Sequence, residues 1–182
     1  YRQKELGGHP PYEYSRTGNP TREALEKLIA QLEEGTSGFA FASGMAAITT
    51  VLLLFRSGDK ILISNNVYGG TFRVLDKVFR QFRLEYEMID TSDLELLQNR
   101  LEPSVKAVLT ESPANPLLTI TDIAAVSEIA HSHGALSIVD NTFMSPYLQK
   151  PLTLGADLVV HSATKYLGGH SDLVAGLAVT NN

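Results

Sequence analysis

The sequence of 182 residues contains no cysteine. Disulfides, thiolate metal sites and cysteine nucleophiles are therefore excluded, and a reducing compartment is compatible with this composition. No apolar run reaches the ~20 residues that span a membrane, and the longest one, residues 46–55, suits a buried helix. The start of the chain shows no signal peptide, so the expected location is the cytoplasm.

An excess of positive charge is also missing. Lys and Arg number 15 against 20 Asp and Glu, which gives a formal net charge of −5, and there is no Lys/Arg cluster. This balance argues against a nucleic-acid partner. The histidines predict no metal site, because His131 and His133 lie at a predicted helix end and His161 and His170 are too sparse. Glycine-rich nucleotide loops do not occur either.

The composition that remains is typical of a folded domain, with 43% hydrophobic and 19% charged residues. Strand-like runs alternate with helical patterns, which predicts an α/β domain with a largely parallel, seven-stranded sheet between helices. The predicted strands are residues 38–42, 60–64, 84–89, 105–111, 135–140, 157–161 and 174–180. Helices are predicted at residues 45–55, 71–83, 93–101 and 122–133.

Residues 1–20 lack a hydrophobic period and are predicted to form an extended N-terminal arm, followed by the α/β domain over residues 21–182. A first helix is predicted to begin with Asn19 or Thr21 as its cap and to end at Gly35. The helix has one apolar stripe, formed by Leu25, Leu28, Ile29 and Leu32.

Two predicted strand ends carry a lysine and an aspartate. Lys165 closely follows the strand 157–161, and Asp140 closes the strand 135–140. An amine taken out of water at a strand end is a nucleophile that can form a Schiff base. With a carboxylate to pair with a pyridinium nitrogen, the two residues favour pyridoxal phosphate as cofactor. Taken singly, Lys165 also suits a side chain that reaches solvent, and Asp140 a turn residue.

Polar groups near the same sheet edge suit the phosphate, since ligands of open α/β sheets bind at the carboxyl ends of the strands. The amides of Gly44 and Met45 open a predicted helix and favour an anion. Hydroxyls of Ser162 and Thr164 add donors. The alternative at this place is a helix cap, Ser43, without any ligand.

Two further residues and one short segment have two interpretations each. Tyr68 suits stacking on a planar ring or packing in the core. Arg16, close to Tyr14 in the arm, suits a phosphate or plain solvation. The segment from Ser162 to Lys165 also matches the Ser-x-x-Lys motif of penicillin-binding enzymes, but the companion Ser-Asp-Asn and Lys-Thr-Gly motifs are absent.

Five segments occur in order along the chain: residues 14–21 (YSRTGNPT), 42–47 (ASGMAA), 67–71 (VYGGT), 139–143 (VDNTF) and 162–172 (SATKYLGGHSD). Their combination resembles the trans-sulfuration family of pyridoxal-phosphate enzymes. That family comprises the cystathionine γ-synthases, γ-lyases and β-lyases together with methionine γ-lyase. The resemblance implies the large domain of the fold-type-I, aminotransferase-like class.

The resemblance also implies residue roles. Lys165 would bind the coenzyme covalently and act as the catalytic base, and Asp140 would pair with the ring nitrogen. Tyr68 would stack on the ring and assist proton transfer, and Asn115 would lie near the ring hydroxyl and the substrate. The phosphate would be held by Gly44, Met45, Ser162 and Thr164.

Tyr14 and Arg16 would complete the phosphate site of a neighbouring subunit, which implies a homo-oligomer, a dimer or a dimer of dimers. The implied reaction is β- or γ-elimination on cystathionine or a related amino-acid thioether, in cysteine and methionine metabolism. Gly70 stands where methionine γ-lyases tend to carry cysteine, so that branch is less similar. A cystathionine γ-synthase is an alternative.

Family chains are longer than this sequence. Their C-terminal domain, with the arginine that grips the substrate carboxylate, has no counterpart here. A non-catalytic, coenzyme-binding fragment is therefore the other alternative.

Overall fold

The computed structural model describes residues 7–8 and 12–181. The α-helices are α1 Pro20–Leu32, α2 Gly44–Leu52, α3 Gly69–Lys77, α4 Leu94–Arg100, α5 Ile123–Ser132 and α6 Ser145–Leu148. The strands are β1 Ser37–Phe41, β2 Lys60–Ser64, β3 Glu85–Ile89, β4 Val105–Glu111, β5 Leu136–Asp140, β6 Leu158–Ser162 and β7 Gly176–Thr180. Short 3-10 helices occupy Phe79–Phe82 and Pro151–Leu154.

All seven strands form one sheet, in the order β1-β7-β6-β5-β4-β2-β3. Strand β7 is antiparallel to both of its neighbours, and the other pairs are parallel. The predicted α/β class with a mostly parallel sheet is therefore confirmed. Because β4, β5 and β6 are parallel, their last residues lie side by side at one edge.

The predicted strand bounds are confirmed for β2 and β4 and shifted by one or two residues elsewhere. Strand β6 extends to Ser162, because that residue still pairs with Gly176 of β7. Strand β7 begins at Gly176, where the backbone passes against the start of α2: a Cβ on Gly176 would lie 2.0 Å from the Ser43 carbonyl oxygen. This close approach requires glycine.

Helix α1 begins as predicted, with the Asn19 side chain accepting hydrogen bonds from the amides of Thr21 and Arg22 at 2.9 and 3.2 Å. The predicted apolar stripe is wrong in part. Of its members only Ile29 is buried, whereas Leu25, Leu28 and Leu32 are 42%, 52% and 44% exposed.

Two glutamates explain why α1 turns a different face to the sheet. The Glu26 carboxylate accepts a hydrogen bond from the amide of Ala40 in β1 at 3.0 Å. Glu33, just after the helix, accepts from the buried side chain of Asn141 at 2.9 Å. These polar contacts with distant residues cannot be seen in a hydrophobic period, and they bring Ile29 and Ala30 onto the sheet.

Other helix predictions differ at their ends. The helix predicted at 71–83 is divided into α3 and the 3-10 helix Phe79–Phe82, and Arg83 adopts a left-handed conformation with φ 60°. The short helix α6 was not predicted. None of the helices in residues 7–8 and 12–181 is long and apolar enough to cross a membrane.

The predicted arm is described only in part, since residues 1–6 and 9–11 lie outside the described residues. Tyr14–Gly18 is a turn rather than an extended segment: the amides of Thr17 and Gly18 both donate to the Tyr14 carbonyl, at 2.9 and 2.8 Å. The Arg22 guanidinium donates to the carbonyls of residues 15–17 at 3.2–3.3 Å. This clamp from α1 explains why the turn forms.

Two hydrophobic layers enclose the sheet. On one face, Ile48 and Leu52 of α2 and Leu75 of α3 pack on strand residues such as Leu109 and Ile138. On the other face, α4 and α5 cover β2 and β4, and α1 covers β6 and β7. Since side chains alternate between the faces of a strand, successive residues at each strand end point into different layers.

Candidate active site

A cavity of about 790 Å³ opens at the carboxyl edge of β4, β5 and β6. This volume lies within the range of small-molecule sites. Eight of the ten predicted site residues line the cavity: Gly44, Met45, Tyr68, Asn115, Asp140, Ser162, Thr164 and Lys165. The structure thus brings together residues that lie up to 121 positions apart in the chain (165 − 44).

Asp140 closes β5 and is almost fully buried, with 9% exposure. Its Oδ1 accepts hydrogen bonds from the Thr142 amide at 3.0 Å and the Thr142 hydroxyl at 2.6 Å. Burial raises the pKa of the Asp140 carboxyl, and the bonds from Thr142 oppose that rise. Its Oδ2 makes no hydrogen bond to any residue within 7–8 and 12–181. Asp140 is therefore a turn residue whose carboxylate also borders the cavity, and its pairing with a ring nitrogen stays a prediction.

Thr142 connects two strand ends. While its hydroxyl donates to Asp140, the hydroxyl oxygen accepts a hydrogen bond from the Ser162 amide at 2.8 Å. The carboxylate at the end of β5 and the backbone at the end of β6 are therefore held by one side chain.

Lys165 lies in a turn after β6, where its amide donates to the Ser162 carbonyl at 3.1 Å. The expectation that the lysine is taken out of water by a buried strand is wrong for this structure. Strand β6 ends three residues earlier, and Lys165 is exposed at the cavity wall. Its amine can therefore be reached by a molecule in the cavity.

The start of α2 forms another wall. The Ser43 hydroxyl caps the helix by accepting from the Ala46 amide at 3.0 Å. The amides of Gly44 and Met45 belong to the first turn and have no partner within the helix. Gly44 packs against β6, since a Cβ there would lie 2.7 Å from the Cβ of Ser162. The cap and the candidate anion site coexist at this position.

The hydroxyls of Ser162 and Thr164, both predicted to bind the phosphate, differ in their hydrogen bonds. In the part of the chain that the structure describes, the Ser162 hydroxyl makes no hydrogen bond. The Thr164 hydroxyl donates to the Ala175 carbonyl at 3.2 Å and accepts from the Ala175 amide at 3.1 Å. Thr164 therefore secures the turn before β7, and only Ser162 has an unused hydroxyl donor.

Tyr68 and Asn115 lie on two loops above the cavity. The ring of Tyr68 is exposed by 53% and packs over Gly70, where a Cβ would lie 2.4 Å from the ring's Cε1. The Tyr68 amide donates to Glu111 Oε2 at 2.7 Å, and the Asn115 amide donates to Glu111 Oε1 at 3.4 Å.

Glu111 is a cavity residue that the sequence analysis did not assign. It closes β4 and lies opposite Asp140 in the register of β4 and β5. Burial, and then the negative charge of Asp140, raise the pKa of Glu111 to about 7, against the two amide hydrogen bonds. One feature of the sequence could have identified Glu111 as a site residue. It ends the predicted strand 105–111 with a carboxylate, as Asp140 ends the next predicted strand, 135–140.

A second polar group, here called the anchor network, lies beneath the cavity. It comprises Glu33, Ser112, Asn141, Gln149 and His161. The Glu33 and His161 side chains are paired and both 0% exposed. Asn141 donates to Glu33 at 2.9 Å, and Gln149 donates to Asn141 Oδ1 at 2.9 Å and to the Ser112 carbonyl at 2.8 Å. His161, which flanks Lys165 in the sequence, thus belongs to the scaffold.

Tyr14 and Arg16 are the two predicted residues that do not line the cavity. Both are exposed, and the Arg16 guanidinium carbon lies 4.6 Å from the centroid of the Tyr14 ring. Their contribution to the phosphate site of a neighbouring subunit stays a prediction.

The fold and the cavity define a class, an α/β domain with a lysine and a buried carboxylate at the sheet edge. A family model described as "Cys/Met metabolism PLP-dependent enzyme" matches residues 1–182. The chain belongs to this family.

Two curated relatives and one solved structure are similar to this chain over 99–100% of its length. Cystathionine gamma-lyase of Bacillus subtilis (strain 168) is 56% identical over 99% of the chain, and cystathionine beta-lyase of Lactococcus lactis subsp. cremoris is 57% identical over 100%. The crystal structure of cystathionine gamma-lyase from Lactobacillus plantarum, complexed with L-serine, superposes with a TM-score of 0.96 at 56% identity and covers 100% of the chain. The chain spans 48% of the length of each of these three proteins.

Proposed function

We propose that the protein to which this chain belongs is a pyridoxal-phosphate-dependent carbon–sulfur lyase that cleaves cystathionine or a related amino-acid thioether. One observation carries the proposal: the Lys165 amine and the buried Asp140 carboxylate face the same cavity, with the first amides of α2 on another wall. The family and the names of the relatives support it.

The cavity residues fit the coenzyme. Asp140 Oδ2 is unused, and a buried carboxylate is stabilised by a cation such as a protonated ring nitrogen. Gly44 lets α2 approach Ser162, so that two helix amides and one unused hydroxyl surround the same space. Lys165 is accessible to an aldehyde at the cavity wall.

The bound coenzyme supplies an aldehyde for the amino group and a conjugated ring that accepts electrons. Lys165 would hold it covalently until a substrate amine takes this place. The freed Lys165 amine would then remove the Cα proton, and for γ-elimination a second proton from Cβ. A positioned base of this kind contributes about 10²–10⁴-fold in rate.

Other residues would assist these proton transfers. Asp140 would keep the ring nitrogen protonated, and Tyr68 would cover the ring and accept a proton from the incoming amine. Asn115 would orient the substrate side of the ring. Tyr14 and Arg16, which do not line the cavity of their own chain, would contribute to the phosphate site of the neighbouring subunit in a cytoplasmic dimer of dimers.

The names of the relatives include both β- and γ-lyases, so the position of the cleaved bond is the point to test. The full-length protein should be incubated with cystathionine. Cysteine with 2-oxobutanoate and ammonia would show γ-elimination, and homocysteine with pyruvate and ammonia would show β-elimination. Release of neither thiol would contradict the lyase. Formation of cystathionine from cysteine and an O-acylhomoserine would instead establish the γ-synthase.

The 182-residue chain alone provides a second comparison. Its binding of the coenzyme, seen as yellow colour, and its thiol release should be measured beside the full-length protein. Colour without thiol release would identify these residues as a coenzyme-binding unit whose turnover needs the rest of the chain.

A further inference from the structure

Glu111 is a buried carboxylate that the proposed mechanism does not use. Its two oxygens accept from two different loops, Oε2 from the Tyr68 amide at 2.7 Å and Oε1 from the Asn115 amide at 3.4 Å. The side chains of both donors line the cavity that Glu111 itself lines. One carboxylate at the end of β4 therefore holds the backbone of the two loops that would contact the coenzyme ring.

In the part of the chain that the structure describes, Glu111 is the acceptor of the Tyr68 amide and no other acceptor binds it. Tyr68 is the residue before the first turn of α3, and its own side chain does not cap this helix. Groups at a helix start lack intrahelical acceptors, so the bond to Glu111 decides where the backbone of Tyr68 lies. Gly70 leaves no room for a side chain under the ring, with a Cβ 2.4 Å from Tyr68 and 2.7 Å from Met45 Sδ. Backbone and ring are thus both constrained.

We infer that Glu111 is a positioning residue that fixes Tyr68 over the coenzyme ring. This inference rests on the proposed function, because the ring is that of the proposed coenzyme. Glutamine at this position has one neutral acceptor oxygen and one NH₂ donor, so any bond that it makes to the Tyr68 amide is weaker than the bond to the carboxylate. Glu111→Gln therefore removes the charged acceptor without a large change in volume.

The first experiment uses the coenzyme-free, full-length protein at a pH above 8, where Glu111 is ionised. Hydrogen exchange of the Tyr68 amide should be slow in the wild type and about 10-fold faster or more in Glu111→Gln, as expected for loss of a bond to a charged acceptor. Glu128→Gln, an exposed glutamate on α5, is the matched control and should change nothing. Rapid exchange of the Tyr68 amide in the wild type would overturn the inference even if the variant failed to fold.

The second experiment measures pyridoxal phosphate affinity in a double-mutant cycle. Glu111→Gln and Tyr68→Ala should each weaken binding by about 3- to 10-fold, the range expected for loss of ring stacking. The double variant should bind no more weakly than Tyr68→Ala alone, because Glu111 acts through Tyr68. The circular dichroism of the bound coenzyme should change in the same way in both single variants.

Additive losses in this cycle would show that Glu111 acts independently of Tyr68 and would overturn the inference. A wild-type protein that binds no pyridoxal phosphate would contradict the proposed function instead. The two failures are distinguishable, because the exchange experiment contains no coenzyme.

Discussion

The ends of β4, β5 and β6 carry two rows of polar residues that differ in their surroundings. The row that faces the cavity consists of Glu111, Asp140 and Ser162. The other row consists of Ser112, Asn141 and His161, which belong to the anchor network; of these, His161 also borders the cavity. The two rows alternate residue by residue, so each strand end supplies one member to each row.

The two rows differ in whether their unused hydrogen-bonding atoms can be reached by a ligand. Within the described residues, the anchor network also leaves Glu33 Oε2 and His161 Nδ1 without a partner, but both atoms are buried. In the anchor network, Asn141 binds Glu33, Gln149 and the Gln149 carbonyl, and the Glu33–His161 pair is sealed from water. In the cavity row, Asp140 Oδ2 and the Ser162 hydroxyl are free of bonds to the described chain. We infer that the buried row fixes the strand ends while the open row keeps its groups for a ligand. Four variants test this division, in order of decreasing effect.

The largest effect should come from Lys165→Ala at the cavity. The full-length variant should lose the visible absorption of the covalently bound coenzyme, and its kcat/KM should fall by up to about 10⁴-fold. Its free energy of unfolding without coenzyme should stay within about 0.5 kcal/mol of the wild type, because Lys165 is exposed. Lys106→Ala, an exposed lysine on β4, is the control. Retained turnover in Lys165→Ala would contradict the proposed base.

Glu33→Ala should show the opposite pattern. It leaves the buried His161 without its partner, and removal of one member of a buried pair costs about 3–5 kcal/mol in the free energy of unfolding. Denaturant unfolding measures this loss. The double variant Glu33→Met, His161→Leu should recover most of it, since an apolar pair needs no compensation. A loss below about 1 kcal/mol in the single variant would show that the anchor network does not hold the fold.

The pH dependence of stability should separate Glu111 from ordinary surface carboxylates. The folded state raises its pKa from 4.5 to about 7, so between these values the folded protein binds more protons than the unfolded one. Stability should therefore fall as the pH rises through this window. Asp140 faces Glu111 and has a pKa raised in the same direction. Chemical unfolding of the coenzyme-free protein at several pH values should show a smaller fall in Glu111→Gln; an equal fall would contradict the assignment.

The smallest effect should come from Gly70→Ala. The new methyl group must displace the Tyr68 ring, so coenzyme affinity should fall by about 3- to 10-fold. Gly69→Ala is a matched control in the same helix, because its Cβ would meet only the far end of the Arg73 side chain, at 3.3 Å. Titration with pyridoxal phosphate compares the two. Equal affinities would show that the ring has room to move.

The sequence predicted the cavity residues better than the scaffold beneath them. Lys165, Asp140 and Gly44 lie in short segments next to strand ends, and parallel strands bring such ends together regardless of small errors in their bounds. Glu33 and His161 form a pair 128 positions apart, and no local pattern reports such a contact. A contact between distant residues also explains why the apolar stripe of α1 did not predict its buried face. Glu26 binds the amide of Ala40 in β1, whereas Leu25 is exposed.

Two other features of the site follow only from the tertiary structure. The Thr164 hydroxyl was expected at a phosphate but binds the Ala175 backbone, which is brought near by a turn of unpredictable shape. Glu111 is the last residue of a predicted strand, yet its bond to the Tyr68 amide depends on a loop that the sequence does not position.

The hydroxyl of Thr142 has a consequence for selectivity. It joins the carboxylate proposed for the ring to the strand end proposed for the phosphate, so this side chain, together with the pairing of β5 and β6, sets the separation of the two subsites. A rigid separation discriminates by molecular length: a vitamer without the phosphate ester would engage one subsite and leave the other empty. Thr142→Val, which keeps the shape and removes both bonds, should therefore narrow the preference for the phosphorylated vitamer over pyridoxal.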